Sequence, residues 1–154
     1  MPTGSATPRA LSEALIGTWE LIAREDRTAT AERRVDPTLG ADPIAVLVYD
    51  RGGHFAAQFM KRDRGDVPEA EGRVTAPNNS RARGGYDAYF GHYAVDDGQG
   101  TVTQRLVGAL SPENVGMVLT RAMTVVRDEL TIRLETATAS GEPITRTLRW
   151  RRVA

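Results

Sequence analysis

The sequence predicts an all-β protein, a closed antiparallel barrel of eight sequential strands. Its 154 residues suit a single domain. Short runs of alternating apolar and polar residues are separated by clusters of turn residues, which is typical of strands joined by hairpins. Closing such an up-and-down sheet into a barrel removes its exposed edges. The predicted strands are 17–25, 44–49, 54–60, 89–95, 101–110, 116–126, 129–136 and 143–152.

The first residues predict a polar lead and then a short helix. We expect disorder to about residue 9 and a single barrel domain over 10–154. Residues 10–16 favour a helix with Ser12 as its N-cap and Gly17 as its end. The lead lacks the apolar run of a signal peptide, and no later segment has the length of a membrane span, so we expect a cytoplasmic protein.

The connections between strands are of two kinds. Most are short and rich in Gly, Asp or Asn, as hairpin turns require. The segment 61–84 is polar, rich in Gly, Pro and Asn, and long for a compact domain. We expect this segment to act as a lid over a binding site.

Composition excludes several classes of function. Lys and Arg together number 20, as do Asp and Glu, so the net charge is zero. Nucleic acids and anionic membranes usually require a basic field, so neither is an expected partner. The absence of cysteine excludes disulfides, thiol catalysis and Cys-ligated metals, and two histidines exclude a His-rich metal site. We expect no cofactor and no metal, and the sequence leaves a homodimer open.

Arg121 is the most informative candidate for a site residue. Alternate residues of a barrel strand face inward, so each strand has two candidate faces. One face of the strand at 116–126 is apolar apart from Arg121, and it includes Met117 and Met123. A buried arginine needs a partner. Arg121 is therefore predicted to bind an anionic or enolate oxygen of a ligand, or else to form a salt bridge with Glu20 or Asp87.

Three tyrosines, Tyr86, Tyr89 and Tyr93, precede and enter the strand at 89–95. Tyrosine combines apolar bulk with one hydroxyl, which suits a pocket that orients a small molecule, and a phenol can act as a general acid. Tyr89 and Tyr93 share a strand face. The alternative for all three is packing in the core and at the rim.

Other polar residues complete the predicted site. A glutamine facing an apolar cavity needs hydrogen bonds, which a ligand or a neighbouring strand could supply to Gln58. Histidine ordinarily changes charge near neutral pH, but His54 and His92 are expected at turns or on the surface. The predicted catalytic residues are Arg121, Tyr89 and Tyr93. The predicted substrate-binding residues are Gln58, Met60, Gln104, Arg105, Met123, Tyr86 and Trp19.

Trp19 also has a structural interpretation. We expect it to form a cation–π plug with Arg149 or Arg151 at one end of the barrel. Glu20 and Arg24 share the strand face opposite to Trp19, and they could form an ion pair inside or outside the barrel.

The residues around this tryptophan resemble a known family. Gly17-Thr18-Trp19 is similar to the Gly-x-Trp signature of lipocalins, and 148–151 is similar to the strand whose arginine covers that tryptophan. More specifically, the chain resembles bacterial and fungal lipocalin-like domain proteins over about residues 14–152. The matching stretches are 15–21, 48–53, 57–60, 86–93 and 112–116 with Arg121.

The resemblance implies a calycin-type barrel with a ligand cavity. Members occur beside secondary-metabolite genes, and barrels of this broad type include cofactor-free cyclases and isomerases. Family members often carry histidine where this chain has Gln104-Arg105, so a histidine role in proton transfer does not carry over. We expect the cavity to bind a small, largely apolar molecule, with a cofactor-free isomerase or cyclase of secondary metabolism as the expected function. A non-catalytic carrier and a structural barrel acting through its surface are the alternatives.

Overall fold

The computed structural model describes residues 9–64 and 78–154. The predicted disordered lead, up to residue 8, and the larger part of the predicted lid lie outside the described residues. The described part contains one short helix, α1 (Leu11–Ala14), and a 3₁₀ turn at Pro112–Asn114. Its strands are β1 (Gly17–Arg27), β2 (Arg33–Arg34), β3 (Ile44–Tyr49), β4 (His54–Met60), β5 (Tyr86–Asp96), β6 (Thr101–Ala109), β7 (Val118–Val126), β8 (Glu129–Ala137) and β9 (Pro143–Arg152).

Eight long strands, β1 and β3 to β9, form a closed antiparallel barrel. From β3 to β9 each strand pairs with the next along the chain, β1 pairs with β3, and β1 also pairs with β9 to close the sheet. The eight-stranded barrel predicted from the sequence is confirmed. The two-residue strand β2, which pairs with the last residues of β1, was not predicted.

Three details differ from the sequence predictions. β5 begins at Tyr86, three residues before its predicted start. β7 begins only at Val118, because the 3₁₀ turn and Gly116 with a φ of 88° occupy the preceding residues. Ser12 is not the N-cap of α1, since Ala10 holds that position. Ser12 instead donates its hydroxyl and backbone N–H to the Asp97 carboxylate at 2.7 and 2.9 Å.

Strand alternation places one residue in two inside the barrel, but a bulge interrupts the alternation in β1. The register of β1 against β9 shifts between Leu21 and Ala23. Trp19 and Arg24 are therefore both buried, although they lie on opposite faces of a regular strand. The predicted shared face of Glu20 and Arg24 is thus wrong. Glu20 is exposed and faces Arg151 at 3.7 Å, with the bulge separating it from Arg24.

One end of the barrel, here called the closed end, is sealed by Trp19 and α1. Trp19 is fully buried and donates its indole N–H to the carbonyl of Leu15 at 2.9 Å. The guanidinium of Arg152 lies 4.3 Å from the centre of the Trp19 ring. Arg149 and Arg151, the predicted partners of Trp19, are exposed because they alternate with buried Trp150. Arg152, at the end of the strand, takes the predicted role.

No helix in the described residues has the length and apolar character needed to cross a membrane.

Candidate functional site

A cavity of about 190 Å³ lies at the end of the barrel opposite Trp19, and we call it the open-end cavity. Residues of six barrel strands, Arg34 of β2 and three loop segments, 35–39, 79–82 and 138–139, form its walls. The other half of the interior is filled by buried side chains that include Tyr49, Leu106 and Met123. Within the described residues, the barrel therefore has room for a ligand at one end only.

Much of the cavity wall is apolar. The apolar side chains that line it are Val35, Leu39, Phe59, Ala82, Leu134 and Leu148. Phe59 belongs to a row of aromatic rings, with its ring centre 6.3 Å from that of Tyr89 and 5.8 Å from that of Trp150. A wall of this kind suits the hydrocarbon part of a small organic molecule.

Three buried arginines from three strands also line the cavity. Arg146 on β9 has a complete set of partners. Its Nε and Nη2 donate to the two carboxylate oxygens of Asp26 at 2.8 and 3.1 Å, and Nη1 donates to Oδ1 of Asn79 at 2.8 Å. This two-bond geometry is the strongest form of an arginine–carboxylate pair. Arg146 therefore holds β9, β1 and the loop at Asn79 together.

Arg24 on β1 is only partly satisfied. Its Nη2 donates to Oδ2 of Asp36 at 2.9 Å, whereas its buried Nη1 has no hydrogen-bond partner among the residues that the structure describes. Burial lowers the pKa of Arg24, and the positive charge of Arg146 lowers it further. The Nη1 of Arg24 is thus a hydrogen-bond donor at the cavity wall that the described residues leave unused.

Arg121 on β7 is the one of the three without a carboxylate partner among the described residues. It is 7% exposed, and its Nη2 donates to the backbone carbonyl of Asn78 at 3.1 Å. Its buried Nε makes no hydrogen bond with the described residues. Neither predicted salt bridge forms between these described residues. Glu20 lies on the outer surface, where it faces Arg151, and Asp87 forms no ion pair with Arg121. Within the described chain, Arg121 is a buried cation without a carboxylate partner.

Asp87 on β5 is a buried acidic residue in the wall of the same cavity. It is 3% exposed, and its Oδ2 accepts a hydrogen bond from the Ser80 hydroxyl at 2.6 Å. In the described part of the chain, its buried Oδ1 has no hydrogen-bond partner. Burial raises the pKa of Asp87 to about 6, although the Ser80 hydrogen bond and the charges of Arg121 and Arg24 act in the opposite direction. Asp87 can therefore gain or lose a proton near neutral pH.

Tyr89 lies on the same inward face of β5, two residues after Asp87. It is buried, it lines the cavity, and its ring packs edge-on against Phe55 at 6.0 Å. Its hydroxyl makes no hydrogen bond with the described residues. Of the predicted catalytic residues, Arg121 and Tyr89 thus meet at one cavity, together with Asp87.

Tyr93 faces inward as predicted, but it lies nearer the closed end and does not line the cavity. Its hydroxyl donates to the backbone carbonyl of Asp50 at 2.6 Å, and its ring centre lies 4.8 Å from that of Tyr49. These contacts give Tyr93 a packing role at the hairpin between β3 and β4.

Two predicted substrate-binding residues face inward below the cavity. Gln104 donates to the Tyr49 hydroxyl at 2.6 Å, and that hydroxyl lies 3.8 Å from the sulfur of Met123. Burial raises the pKa of Tyr49 well above its ordinary value. Gln104 and Met123 therefore fill the core beneath the cavity and do not form its wall.

The remaining predicted substrate-binding residues lie elsewhere. Gln58 and Tyr86 meet on the outer face, where the tyrosine hydroxyl donates to Oε1 of Gln58 at 2.6 Å. Met60 shares that outward face, Arg105 is exposed on β6, and Trp19 lies at the closed end. The cause is strand alternation, which turns Phe59 and Asp87 inward between these outward neighbours. None of the seven predicted substrate-binding residues lines the cavity.

Two of the cavity residues that were not predicted as site residues, Asp87 and Arg146, could have been recognised from the sequence. Asp87 precedes Tyr89 by two residues, and Arg146 precedes Leu148 by two residues, so each shares a strand face with a residue that lines the cavity. A charged side chain on an otherwise apolar face was the criterion that singled out Arg121, and it applies equally to these positions. Arg24 had no such signal, because the bulge in β1 reverses its face.

Comparison with known families agrees with this architecture. A family model for the lipocalin-like domain matches residues 16–153, from the residue before β1 to the residue after β9. No curated protein matches the sequence. The match covers the whole barrel, including the sealed Trp19 end and the cavity at the opposite end, and such a barrel is suited to binding a small molecule. The chain belongs to the lipocalin-like domain family.

Proposed function

We propose that the open-end cavity binds a small, largely apolar organic molecule that carries a carbonyl or acidic oxygen, and acts on it as a cofactor-free isomerase or cyclase. The observation that carries the proposal is the meeting of Asp87, Tyr89 and Arg121 at one cavity whose wall is partly apolar. Asp87 and Arg121 each retain a buried polar atom without a partner among the described residues. Buried polar groups are normally satisfied, so these exceptions are typical of a functional site.

These residues are suited to proton transfer next to a carbonyl group. Asp87 as a carboxylate can take a proton from the carbon beside the carbonyl, which leaves an enolate. A general base works best when its pKa lies near the working pH, and burial brings the pKa of Asp87 to about 6. The guanidinium of Arg121 can stabilise the enolate oxygen, and the Tyr89 hydroxyl is a second available donor. Return of the proton from Asp87 to a different carbon completes an isomerisation with no oxidant or reductant.

Cyclisation would use the same cavity in a different way. Holding a flexible chain in its reactive conformation removes much of the barrier by itself. The apolar wall formed by Phe59, Leu134 and Leu148 supplies the shape, and Arg121 would polarise the reacting carbonyl.

A non-catalytic carrier is the second candidate, and the apolar wall favours it independently. Two of the charged wall residues, Arg146 and Asp26, already satisfy each other, so they can serve as fixed lining around a bound molecule. A purely structural barrel is the least supported alternative, because a cavity of about 190 Å³ remains at one end.

The enzymatic proposal can be tested with a generic probe of enolisation, 3-cyclohexen-1-one. Conversion to the conjugated 2-enone requires removal of one carbon-bound proton and its return to another carbon, and the product is followed by its ultraviolet absorbance. We expect the protein to accelerate this conversion, and Asp87→Asn and Arg121→Met to reduce the rate tenfold or more, a loss of about 1.4 kcal/mol. Arg105→Met, an exposed arginine on β6, is the matched control and should retain the rate.

The carrier alternative makes a different prediction in the same experiments. Native mass spectrometry followed by denaturing extraction should find a retained small molecule on the wild-type protein and on Arg105→Met, and less of it on Arg121→Met. Retention without any acceleration of the probe reaction, or with equal rates in wild type and Asp87→Asn, would replace the enzymatic proposal by the carrier.

A further inference from the structure

The open-end cavity contains more charge than its internal ion pairs neutralise. Besides Arg24, Arg121 and Arg146, its wall includes Asp26, Asp36 and Asp87. Arg146 pairs with Asp26 and Arg24 pairs with Asp36. The remaining two residues, Arg121 and Asp87, form no ion pair with each other. Arg34 and Arg81, which also line the cavity, pair with Glu142 and Glu113 away from its interior.

Arg121 has the donors to hold an anion. A guanidinium carries five N–H groups in a planar fork, and in the described chain Arg121 uses its Nη2 for one bond to the carbonyl of Asn78. A carboxylate can match two of those N–H groups side by side. A buried cation without a partner costs free energy, so an anion bound beside Arg121 would lower that cost.

The groups around Asp87 determine whether Asp87 is ionised, and therefore whether it competes with a ligand anion for Arg121. The elements packed around it contribute the following charged or titratable groups: Arg24 and Asp26 from β1, Arg121 from β7, Arg146 from β9, Tyr89 from β5 itself, and Asp36 and Arg81 from the loops. Phe59 on β4 and Leu134 on β8 add only apolar surface. Burial outweighs the favourable charges of Arg121 and Arg24, so the pKa of Asp87 lies at about 6. When Asp87 is protonated, the described cavity holds no carboxylate for Arg121 that is not already paired with another arginine.

We propose that the ligand is a small monocarboxylic acid whose carboxylate pairs with Arg121, and that it enters the cavity together with one proton that is held by Asp87. The inference rests on the binding part of the proposed function and specifies its ligand class. It favours the carrier over the enzyme for such a ligand, because a protonated Asp87 is not a base and the ligand carboxylate occupies Arg121. One unpaired cation matches one negative charge, and a dianion would leave a charge uncompensated. The apolar wall takes the hydrocarbon part of the acid.

The coupling between anion and proton has a defined direction. A carboxylate beside Arg121 brings a second negative charge close to Asp87 and disfavours ionisation of Asp87. Binding above the pKa of Asp87 therefore requires uptake of a proton. Affinity should be nearly constant below about pH 5, where Asp87 is protonated, and should fall as the pH rises through about 6, approaching tenfold per pH unit well above that value.

Isothermal titration calorimetry with benzoate, and with benzamide as its uncharged analogue, tests this proposal. Titrations at pH 5.5, 6.5 and 7.5 in buffers of different ionisation enthalpy give both the affinity and the number of protons taken up. We expect benzoate to bind more tightly than benzamide at pH 5.5, with uptake approaching one proton at pH 7.5. Arg121→Met should abolish the preference for benzoate, and Arg105→Met should retain it.

A second variant separates the proton from the anion site. Asp87→Asn keeps the shape of the side chain but cannot ionise, so it should bind benzoate at pH 7.5 as tightly as the wild type does at pH 5.5. Equal affinity for benzoate and benzamide in the wild type, or benzoate affinity that does not change with pH, would overturn the proposal and leave a neutral carbonyl ligand for the proposed function. If benzoate, benzamide and 3-cyclohexen-1-one all fail to bind and extraction recovers no molecule, the proposed function fails as well.

Discussion

The two ends of the barrel use arginine in opposite ways. At the closed end, Arg152 stacks on Trp19, donates to the carbonyls of Ala14 and Ile16 at 2.6 Å each, and donates from Nε to Asp128 at 3.3 Å. At the open end, the described residues give Arg121 one hydrogen bond and no carboxylate. An arginine whose donors are all matched stabilises the fold. One whose donors are unmatched in a cavity is available to a ligand.

The difference has a simple physical origin. Hydrogen bonds to a charged group are worth about 1.5 to 3 kcal/mol, and a buried charge without partners costs free energy. The closed end therefore gains stability from its arginine, whereas the open end gives up stability. Substitutions at the two ends should separate these roles.

The largest effect is expected at the closed end. Trp19→Ala removes a fully buried side chain and should lower the free energy of unfolding by about 4 kcal/mol. Because Trp19 lies far from the cavity, the folded fraction should still bind benzoate with wild-type affinity. Urea unfolding and calorimetry measure the two quantities. Loss of benzoate binding in a folded Trp19→Ala protein would show that the two ends are not independent.

The next largest effect is a pH dependence at the open end. The pKa of Asp87 is raised by burial from 3.8 to about 6, so its protonated form is favoured by folding. The resulting contribution is fully present below the unfolded pKa and is lost as the pH rises through about 6. The loss of unfolding free energy from Asp87 between pH 3 and pH 8 should approach about 3 kcal/mol.

Asp87→Asn checks the origin of that pH dependence. The variant should lack this component and should be more stable than the wild type at pH 7, as measured by urea unfolding across the pH range. Identical pH profiles for the two proteins would mean that Asp87 is not the titrating group.

A smaller loss is expected for Arg152→Met. The substitution keeps apolar contact with Trp19 but leaves the carbonyls of Ala14 and Ile16 without their donor. We expect the free energy of unfolding to fall by about 2 kcal/mol, with benzoate binding unchanged. Thermal and urea unfolding measure the loss. If the variant is as stable as the wild type, Arg152 does not stabilise the closed end.

The smallest effect on stability is expected for the same substitution at the open end. Arg121→Met removes a buried charge with no ion-pair partner and gives up one hydrogen bond, so stability should change by less than about 1 kcal/mol in either direction. Benzoate binding should nevertheless be lost. A destabilisation equal to that of Arg152→Met would contradict the contrast between the two ends.

The sequence predicted the barrel because its signals are local. Each strand has its own alternation and each hairpin its own turn residues, so eight strands and their order follow without knowledge of tertiary contacts. Trp19 was also correctly assigned to a sealed end. Its partner was wrong by one or three residues, since the inward positions of β9 are those of Trp150 and its alternate neighbours, and Arg152 is one of these neighbours.

The site was harder to predict because it depends on contacts between distant segments. The bulge at Leu21 turns Arg24 inward, and nothing in the local pattern of β1 indicates it. The loop residue Asn78, 43 positions before Arg121, supplies that side chain's hydrogen bond. Which face of β4 lines the interior is decided by its pairing with β3 and β5, and this pairing turns Gln58 outward.

The two tryptophans of the chain allow one measurement that reads both ends at once. The Trp150 ring packs against Phe59, which lines the cavity, and its indole N–H has no hydrogen-bond partner within residues 9–64 and 78–154. The Trp19 indole N–H is bound to Leu15 at the closed end. In a ¹⁵N–¹H correlation spectrum titrated with benzoate at pH 5.5, we expect the indole signal of Trp150 to shift and that of Trp19 to stay in place. A shift of the Trp19 signal alone, or no shift of either signal, would contradict a ligand site at the open end.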